Sequence, residues 1–278
     1  RGSAAAAAQG EDSPPQPHSV PLAALGTLLL WFAWFGFNSG SAANAGPPAI
    51  LAMVNSELAG SAGLFAWAMM DLAYRGHASL LSLCTGAVAG LSIVTPMAGF
   101  VNPPEALMAV SAALPLCYGC CDLLLKLQVH EPMHVAGVHG AGGMLGSVLL
   151  GLAADPEDCA DPRSAPDWCA FPGTVTRSLA QLGRQLGATC VVAVYAFVAT
   201  WLLLKVIDAM MVLRLRDKIA DLGLDLYHYG QEAYSGAPLR CASAAKLPPL
   251  DLSVEDPLSV SLPDWLRACS TGAAAASA

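Results

Sequence analysis

Six long apolar segments dominate the first 213 residues of the chain, separated by polar or glycine- and proline-rich stretches. A helix that crosses the hydrocarbon core of a bilayer needs ~20 mostly apolar residues, and its backbone must be bonded internally because lipid offers no partners. The pattern therefore predicts an all-α, polytopic membrane domain over residues 20–213, with six transmembrane helices. We expect them at about residues 20–42, 49–73, 78–96, 103–126, 135–154 and 183–212.

Basic residues outside these segments indicate how the chain crosses the membrane. Arg75 lies between the second and third segments, Lys126 lies between the fourth and fifth, and Arg214, Arg216 and Lys218 follow the sixth. If the helices alternate in direction, all of these residues fall on one side, and the loops on the other side lack Lys and Arg or are acidic in balance. Cytoplasmic loops are enriched in Lys and Arg. We therefore expect the first helix to enter from the cytoplasm and the C-terminus to be cytoplasmic.

The composition agrees with a membrane domain and argues against nucleic acid as a partner. Hydrophobic residues make up 55% of the 278 residues and charged residues 12%, whereas a soluble domain carries about 25% charged residues. The net charge is −8, and phosphate binding needs a basic face. Neither a Ser/His/Asp order nor a phosphate-binding loop occurs in the sequence, so we expect no enzyme activity and no cofactor.

Polar or low-complexity sequence flanks the apolar domain. Residues 1–19 are rich in Ala and Pro, which predicts a disordered linker. Residues 214–235 predict a short cytoplasmic tail docked on the membrane domain, and residues 236–278 are predicted to be mostly disordered. The chain begins without Met and shows no signal-peptide pattern, which suggests a piece of a longer protein.

The nine cysteines fall into two groups. Cys117, Cys120 and Cys121 resemble a metal-binding motif in spacing, but they lie in a predicted membrane helix without a nearby His or second Cys pair, so we expect no metal site. Cys159 and Cys169 lie in the loop that the charge pattern places outside the cytoplasm. That location permits a disulfide between them, and two free thiols fit the sequence equally well.

His139 lies in an apolar, glycine-rich run, HVAGVHGAGGMLGSVLLGL at 134–152, with no obvious partner nearby in the sequence. Loss of solvation disfavours the charged imidazole, so we expect a neutral ring with one donor and one acceptor. Ionisable groups inside membranes are functional candidates, and the flanking glycines would let this ring face a narrow passage. A histidine bonded to a neighbouring helix for packing is an equally good interpretation.

An aromatic cluster is followed by small polar residues in WFAWFGFNSGSAAN at 31–44. Trp34 and Phe37 belong to the aromatic part, and Ser41 belongs to the polar part that follows. One interpretation is an aromatic belt at the membrane interface. The other is an aromatic gate beside a polar vestibule, where ring faces stabilise a small cation before it loses its hydration.

Four acidic residues, Glu57, Asp71, Asp122 and Glu131, lie near predicted helix ends. Carboxylates at such positions reach water without crossing the hydrocarbon core. We therefore interpret Asp71 and Asp122 as solvated helix-end residues.

Four segments resemble the Amt/Mep/Rh ammonium transporter family, nearer its Amt branch. They are LLLWFAWFGFNSGSA at 28–42, SLLSLCTGAVAGLSIVTPMAGFVNPPEAL at 79–107, VHEPMHVAGVHGAGGMLG at 129–146 and LLLKVIDAMMVLRLRDKIADLGLDLYHYGQEAY at 202–234. They occur in the family's order and extend over about residues 20–235. The resemblance implies ammonium transport: ammonium is recruited outside, loses a proton and crosses a hydrophobic, histidine-lined pore. It also implies a homotrimer when full length, placed in the plasma membrane.

The resemblance implies roles for four residues of the membrane domain. Phe37 matches the inner Phe of the family's aromatic gate, and Trp34 matches the neighbouring aromatic residue. Ser41 matches the hydroxyl of the external ammonium recruitment site. His139 matches the second of two pore histidines.

The cytoplasmic tail resembles the family's tail with one departure. Gly223 and Asp225 match the regulatory Gly-x-Asp. Gly230 follows Tyr229 where the family commonly has His-Gly, and His228 stands one place early. The resemblance therefore implies a regulatory tail whose coupling between subunits is altered.

The resemblance also implies that these six helices correspond to the last six of the family's eleven. The first five would carry the other gate Phe, the recruitment-site Trp, a buried Asp and the first pore histidine. Because the family's pore forms between two halves of each subunit, we expect this chain to contribute half of a pore. Two hypotheses of other classes are an ammonium-sensing membrane protein and a non-transporting structural subunit.

Overall fold

The computed structural model describes residues 19–127, 129, 131, 133–153, 179–211 and 213. The predicted linker up to residue 18, the disulfide candidates Cys159 and Cys169, and the regulatory tail residues Gly223, Asp225 and Gly230 lie outside the described residues.

The prediction of a helical membrane domain with six apolar helices is confirmed. The helices are α1 (Val20–Gly40), α2 (Pro47–Arg75), α3 (Leu80–Val94), α4 (Pro103–Lys126), α5 (Gly142–Ala153), which a π-helical turn (Ala136–Ala141) precedes, and α6 (Leu179–Met210). Within the described residues, five spans, counting the π-helical turn and α5 as one, are long and apolar enough to cross a membrane. The exception is α3, whose 15 residues rise about 22 Å at 1.5 Å per residue.

Proline, glycine and polar capping residues determine where the helices begin and end. The apolar pattern alone predicted these boundaries only approximately. Ser19 caps α1 by accepting a hydrogen bond from the Leu22 N–H, and Gly76 ends α2 at a φ of +75°, which glycine adopts without strain. At the start of α4, the Glu105 carboxylate accepts from the Asn102 N–H at 3.2 Å. Such caps satisfy backbone groups that the first or last turn leaves open.

Helices α2 and α3 approach each other through glycine. A Cβ atom on Gly63 would clash with the Gly86 carbonyl oxygen, and one on Gly90 would clash with the Ala59 carbonyl oxygen. Gly63, Gly86 and Gly90 therefore let these two helices pack closely, since only small residues allow two backbones to come this near.

The chain after α3 is a turn that is held by a side chain of α2. Residues 95–100 form this turn, and the Asn55 amide donates to the carbonyl oxygens of Ala98 and Val101, both at 2.8 Å. Asn55 is fully buried, and so are Met97 and Val101 beside it. The amide thus satisfies carbonyl groups that would otherwise lack partners in an apolar interior.

The burial of Asp71 contradicts its interpretation as a solvated residue at a helix end. Its side chain is only 1% exposed; the Tyr118 hydroxyl on α4 donates to its Oδ1 at 2.9 Å, and Arg75 Nη1 lies 3.5 Å from the same oxygen. Asp122, in contrast, is 37% exposed and pairs with Lys126 at 2.7 Å. The prediction was wrong for Asp71 because a phenol and a guanidinium take the place of water there.

The chain divides into two units within α6, after Ala196. The first unit holds α1 to α5 and the first part of α6, where a Cβ atom on Gly151 of α5 would meet the Leu182 backbone at 2.7 Å. The described part of the second unit, 197–211 and 213, is helical as far as Met210. Its apolar side chains are exposed, including Phe197 and Trp201, as expected of a helix that faces lipid.

Candidate functional site

His139 lies in the π-helical turn Ala136–Ala141. π-Helical turns are rare and frequently occur at functional sites. The Glu131 carboxylate holds the start of this turn, because both of its oxygens accept from the Ala136 N–H, at 3.0 and 3.1 Å. Between them, His134 has a φ of +50°, a conformation that non-glycine residues seldom adopt. Local backbone geometry, rather than apolar periodicity, therefore sets the direction of His139.

The imidazole of His139 has partners on two other helices. Its Nδ1 lies 3.1 Å from the Ser92 hydroxyl on α3, and its ring stacks on Trp34 of α1, with centroids 6.1 Å apart and planes 8° apart. His139 itself remains exposed. The lack of a polar residue near His139 in the sequence therefore did not indicate an unpartnered imidazole, because the hydrogen-bonding partner, Ser92, lies 47 residues upstream.

Trp34 is fixed by the hydroxyl of Thr95, the residue that follows α3. Its indole N–H donates to Thr95 Oγ1 at 2.8 Å, and the Thr95 hydroxyl donates in turn to the Leu91 carbonyl oxygen at 2.7 Å. Phe37 meets the indole edge-on, with centroids 6.1 Å apart. Ser92 of α3 and Thr95, which follows its last residue, therefore hold the histidine and the tryptophan side by side.

These residues line one cavity of about 790 Å³ in the first unit of the chain. Its lining comes from α1, α3 with the turn after it, the π-helical turn, α5 and α6: Trp34, Phe37, Ser92, Thr95, Pro96, His139, Gly140, Gly143, Met144, Ser147, Gln185, Ala188, Thr189, Val192, Ala193 and Ala196. The expectation that glycines beside His139 leave room for a passage agrees with the position of Gly140 and Gly143 in this lining.

The cavity is apolar with a few neutral polar groups. No Asp, Glu, Lys or Arg is among its described lining residues, and its polar side chains are hydroxyls, one amide and the imidazole of His139. A full charge in such surroundings would lose hydration without gaining a counter-ion, which is costly. The arrangement therefore suits a small neutral solute that exchanges hydrogen bonds.

Three of the four predicted site residues of the membrane domain come together, and the fourth lies apart. Trp34, Phe37 and His139 line the cavity, but Ser41 is not among the lining residues. It follows the last residue of α1, is exposed, and donates its hydroxyl to the Phe37 carbonyl oxygen at 2.8 Å. Ser41 is thus one helical turn beyond the cavity and is linked to it through Phe37.

Sequence reasoning missed Ser92 and Thr95 as members of the site. Both lie in the segment 79–107, which resembles the family but to which the sequence analysis assigned no site residue. Their spacing of three residues, which places both hydroxyls on one helix face, was a usable signal. The cysteines of α4 serve packing instead: the Cys117 thiol donates to the Gly137 carbonyl oxygen at 3.1 Å, and a Cβ atom on Gly137 would clash with Cys121.

A comparison with known families decides the relationship. The model of the ammonium transporter family matches residues 4–234. The chain belongs to the ammonium transporter family. With its apolar helices, this ammonium transporter family member is an integral membrane protein, and its relatives are named as transporters rather than enzymes.

The sequences of named relatives agree with this family assignment. Ammonium transporter 1 of Schizosaccharomyces pombe is 38% identical over 222 residues, which cover 79% of this chain and 44% of that protein. Ammonium transporter Amt1 of Archaeoglobus fulgidus is 35% identical over 220 residues, which cover 79% of this chain and 54% of that protein. The chain therefore spans about half the length of the relatives it matches.

Solved structures show the same fold. Candida albicans Mep2 superposes with a TM-score of 0.64 at 31% identity, covering 84% of this chain and 47% of that one. A structure titled "Sensor Amt Protein" superposes with a TM-score of 0.67 at 25% identity, covering 78% of this chain and 52% of that one.

Proposed function

We propose that the full-length protein transports ammonium across a membrane and that this chain supplies the wall of the path that carries His139. The observation that carries the proposal is the single cavity in which Trp34, Phe37 and His139 meet. Membership of the ammonium transporter family supports the substrate. The uncharged lining supports ammonia as the species beside His139, because a cation would have no counter-ion there.

Each site residue has its own role along this path. Ser41 recruits ammonium at the exposed end of α1, where its hydroxyl also donates to the Phe37 carbonyl oxygen. Phe37 and Trp34 offer aromatic faces that stabilise the cation before it gives up its proton. His139 then exchanges hydrogen bonds with the neutral solute, which compensates for the water that the solute leaves behind.

The broader assignments follow from the family resemblance. The chain corresponds to the last six helices of the family's eleven, with a cytoplasmic C-terminus, in a plasma-membrane homotrimer. Gly223, Asp225 and Gly230 of the tail regulate it. The relatives' greater length is compatible with the first of these assignments, because the match covers 44% to 54% of the two named above.

Uptake measurements test the proposal. The full-length gene product is expressed in cells that lack other ammonium transporters, and uptake of radioactive methylammonium is followed. We expect uptake by the wild type and a loss of about tenfold or more for His139→Ala, the size of one lost hydrogen bond to a desolvated solute. Cys190→Ser is the matched control, because Cys190 lies in α6 and is not among the lining residues.

The outcome separates a pore residue from a packing residue. Equal uptake by wild type and His139→Ala, at equal amounts in the membrane, would make His139 a packing histidine. If His139→Ala instead failed to reach the membrane, His139→Gln, which keeps a donor and an acceptor, would be measured in its place.

A sensor is the second candidate, and the likeness to the structure titled "Sensor Amt Protein" favours it. A sensor would bind ammonium in the same cavity without passing it. Purified protein that binds ammonium by calorimetry, together with no methylammonium uptake in the cells above, would establish the sensor; uptake above the level of untransformed cells would exclude a pure sensor.

A further inference from the structure

His134 occupies a strained position just before the π-helical turn. Its φ of +50° costs free energy for a residue with a side chain, and such a conformation persists only where neighbouring contacts enforce it. Two backbone hydrogen bonds do so here: the His134 N–H donates to the Glu131 carbonyl oxygen at 3.1 Å, and the His134 carbonyl oxygen accepts from the Val138 N–H at 2.8 Å. His134 therefore joins the segment before the turn to the turn itself.

The Glu131 side chain bonds to the turn at the same junction. Both carboxylate oxygens accept from the Ala136 N–H, at 3.0 and 3.1 Å, a backbone group that the first turn of a helix leaves open. Glu131 is thus bonded to His134 through its carbonyl group and to the turn through its carboxylate. Removal of this carboxylate from Ala136 would loosen the start of the turn that directs His139.

Two charged groups act on the His134 imidazole among the described residues. Glu131, on its own segment, attracts a proton there, and Arg75 of α2, which is paired with Asp71, repels one. The imidazole is also partly buried, and burial disfavours its charged form most strongly. The folded protein therefore holds His134 neutral, with a pKa below the ordinary 6.5.

The helices packed against the turn, α3, α4 and α5, add no further net charge beside His134. α3 and α5 contain no Asp, Glu, Lys, Arg or His. On α4, Asp122 and Lys126 pair with each other at 2.7 Å. The other ionisable side chains near the C-terminal end of α4 are three thiols and a phenol that is bonded to Asp71: Cys117, Cys120, Cys121 and Tyr118. Protonation of His134 would thus create a cation whose counter-charge is the Glu131 carboxylate.

We propose that Glu131, His134 and Ala136 form a proton-operated latch on the π-helical turn: when His134 takes up a proton, Glu131 leaves the Ala136 N–H and the turn loosens. The protonated imidazole attracts the carboxylate that Ala136 otherwise holds, and it gains hydration when the segment opens. Both effects act in the same direction. Because the imidazole binds a proton more readily in the open form than in the closed form, protons favour the open form.

The latch lies at the end of the helices that carries Arg75 and Lys126, since Arg75 acts directly on His134. Under the proposed function, on which this step rests, that end faces the cytoplasm. The turn sets the direction of His139, so its loosening should slow transport when the cytoplasm becomes acidic. The latch thereby makes ammonium uptake respond to the proton concentration at one end of the path, without a charged group inside the cavity.

Hydrogen–deuterium exchange of the full-length gene product in lipid vesicles tests the latch directly. Exchange at amides 133–141 is followed between about pH 7.5 and about pH 5.5, on either side of the ordinary pKa of 6.5, with correction for the intrinsic pH dependence of exchange. In the wild type we expect protection of these amides to fall several-fold toward the acidic end, while the amides of α3 stay protected. His134→Asn should keep the same protection at every pH, since Asn does not titrate and tolerates the positive φ.

His77→Asn is the matched control. It removes an exposed imidazole whose Nδ1 lies 3.1 Å from the Arg75 carbonyl oxygen, so the wild-type loss of protection should remain. If His134→Asn failed to reach the membrane, His134→Gly, which adopts a positive φ without strain, would be measured in its place. Protection that does not fall in the wild type would overturn the inference, and so would an equal fall in the wild type and the His134 variant.

Transport tests the regulatory role of the latch. Methylammonium uptake is measured in cells whose cytoplasm is acidified by a permeant weak acid at constant external pH. Uptake by the wild type and by His77→Asn should fall several-fold, and uptake by His134→Asn should fall less. All three proteins experience the same gradients, so equal falls would overturn the regulatory role. No uptake by the wild type at any pH would count against the proposed function, and the exchange result, which does not depend on transport, would still decide the latch.

Discussion

The polar clusters around Asp71 and His139 both lie within the apolar helices, and they differ in whether they are closed. Asp71 is sealed between α2 and α4, where the Tyr118 hydroxyl and the Arg75 guanidinium take up its carboxylate. His139 is held on one side by Ser92 but keeps its other side on a cavity. A closed cluster can only stabilise the fold, whereas an open one has a hydrogen-bonding group left for a solute.

This contrast separates two kinds of ionisable residue that look alike in sequence. Removing a member of the closed cluster should cost stability and leave transport by the folded protein intact. Removing a member of the open cluster should cost transport and leave stability nearly intact. Two substitutions test that division and a third tests the pH dependence of stability, in order of decreasing effect.

Asp71→Ala should have the largest effect, because it leaves the Tyr118 hydroxyl and the Arg75 charge without their buried partner. Hydrogen bonds to charged groups are worth about 1.5–3 kcal/mol, so we expect a loss of that size in the free energy of unfolding. The measurement is thermal or denaturant unfolding of the purified protein in detergent. Asp122→Ala, which breaks a more exposed pair with Lys126, should cost only about 0–1 kcal/mol. Similar losses in the two variants would contradict the closed cluster.

Trp34→Phe should have a smaller and different effect. It keeps an aromatic ring beside His139 but removes the N–H that donates to Thr95 at 2.8 Å, a bond worth about 1 kcal/mol. We expect methylammonium uptake to fall about fivefold, the change that a free energy of this size produces in a rate, and the free energy of unfolding to fall by at most about 1 kcal/mol. Trp201→Phe in α6, whose side chain is exposed, is the control. A large stability loss with unchanged uptake would place Trp34 among the structural residues instead.

His134→Asn should have the smallest effect, visible as a change in pH dependence. Burial lowers the pKa of His134 below its ordinary 6.5; Arg75 also lowers it, and Glu131 partly offsets this. The unfolded chain therefore binds the proton more readily than the folded protein. Stability should be fully present above pH 6.5 and decline as the pH falls below it toward the lowered pKa.

The variant should flatten this decline, and Asn is chosen because it tolerates the positive φ of residue 134. Unfolding is measured at a series of pH values from neutral to mildly acidic. His77→Asn removes an exposed imidazole and is the matched control. A slope in His134→Asn that matches the wild-type slope would exclude His134 as its source.

The apolar pattern predicted the helices well because bilayer-spanning helices need long apolar runs. The predicted ends of the fourth segment, 103–126, coincide with Pro103–Lys126, where two prolines and a lysine mark the boundaries. The predicted third segment, 78–96, is longer than Leu80–Val94. There the apolar sequence continues into a turn, and the turn depends on a distant amide, that of Asn55.

The candidate site was predictable only in part. His139, Trp34 and Phe37 are conspicuous by residue type, and the structure places them around one cavity. The roles of Asp71 and Ser92 depend on partners 47 residues away in each case, and no local pattern encodes such a distance. The direction of His139 depends on a π-helical turn, which apolar periodicity does not reveal because glycine and alanine fill most of it.

That turn changes the facing of the residues at the start of the helix that continues as α5. A π-helical turn contains one residue more than an α-helical turn, so the residues before the extra one face about 100° away from the direction they would have in a continuous α-helix. The offset lets Gly137 pack against Cys121 of α4 while Gly146 packs against Ile93 of α3. Loss of a single residue between 136 and 141 would force a choice between these two contacts, and His139 would turn with whichever half was released. The spacing of the residues around the histidine is therefore as much a part of the site as the imidazole itself.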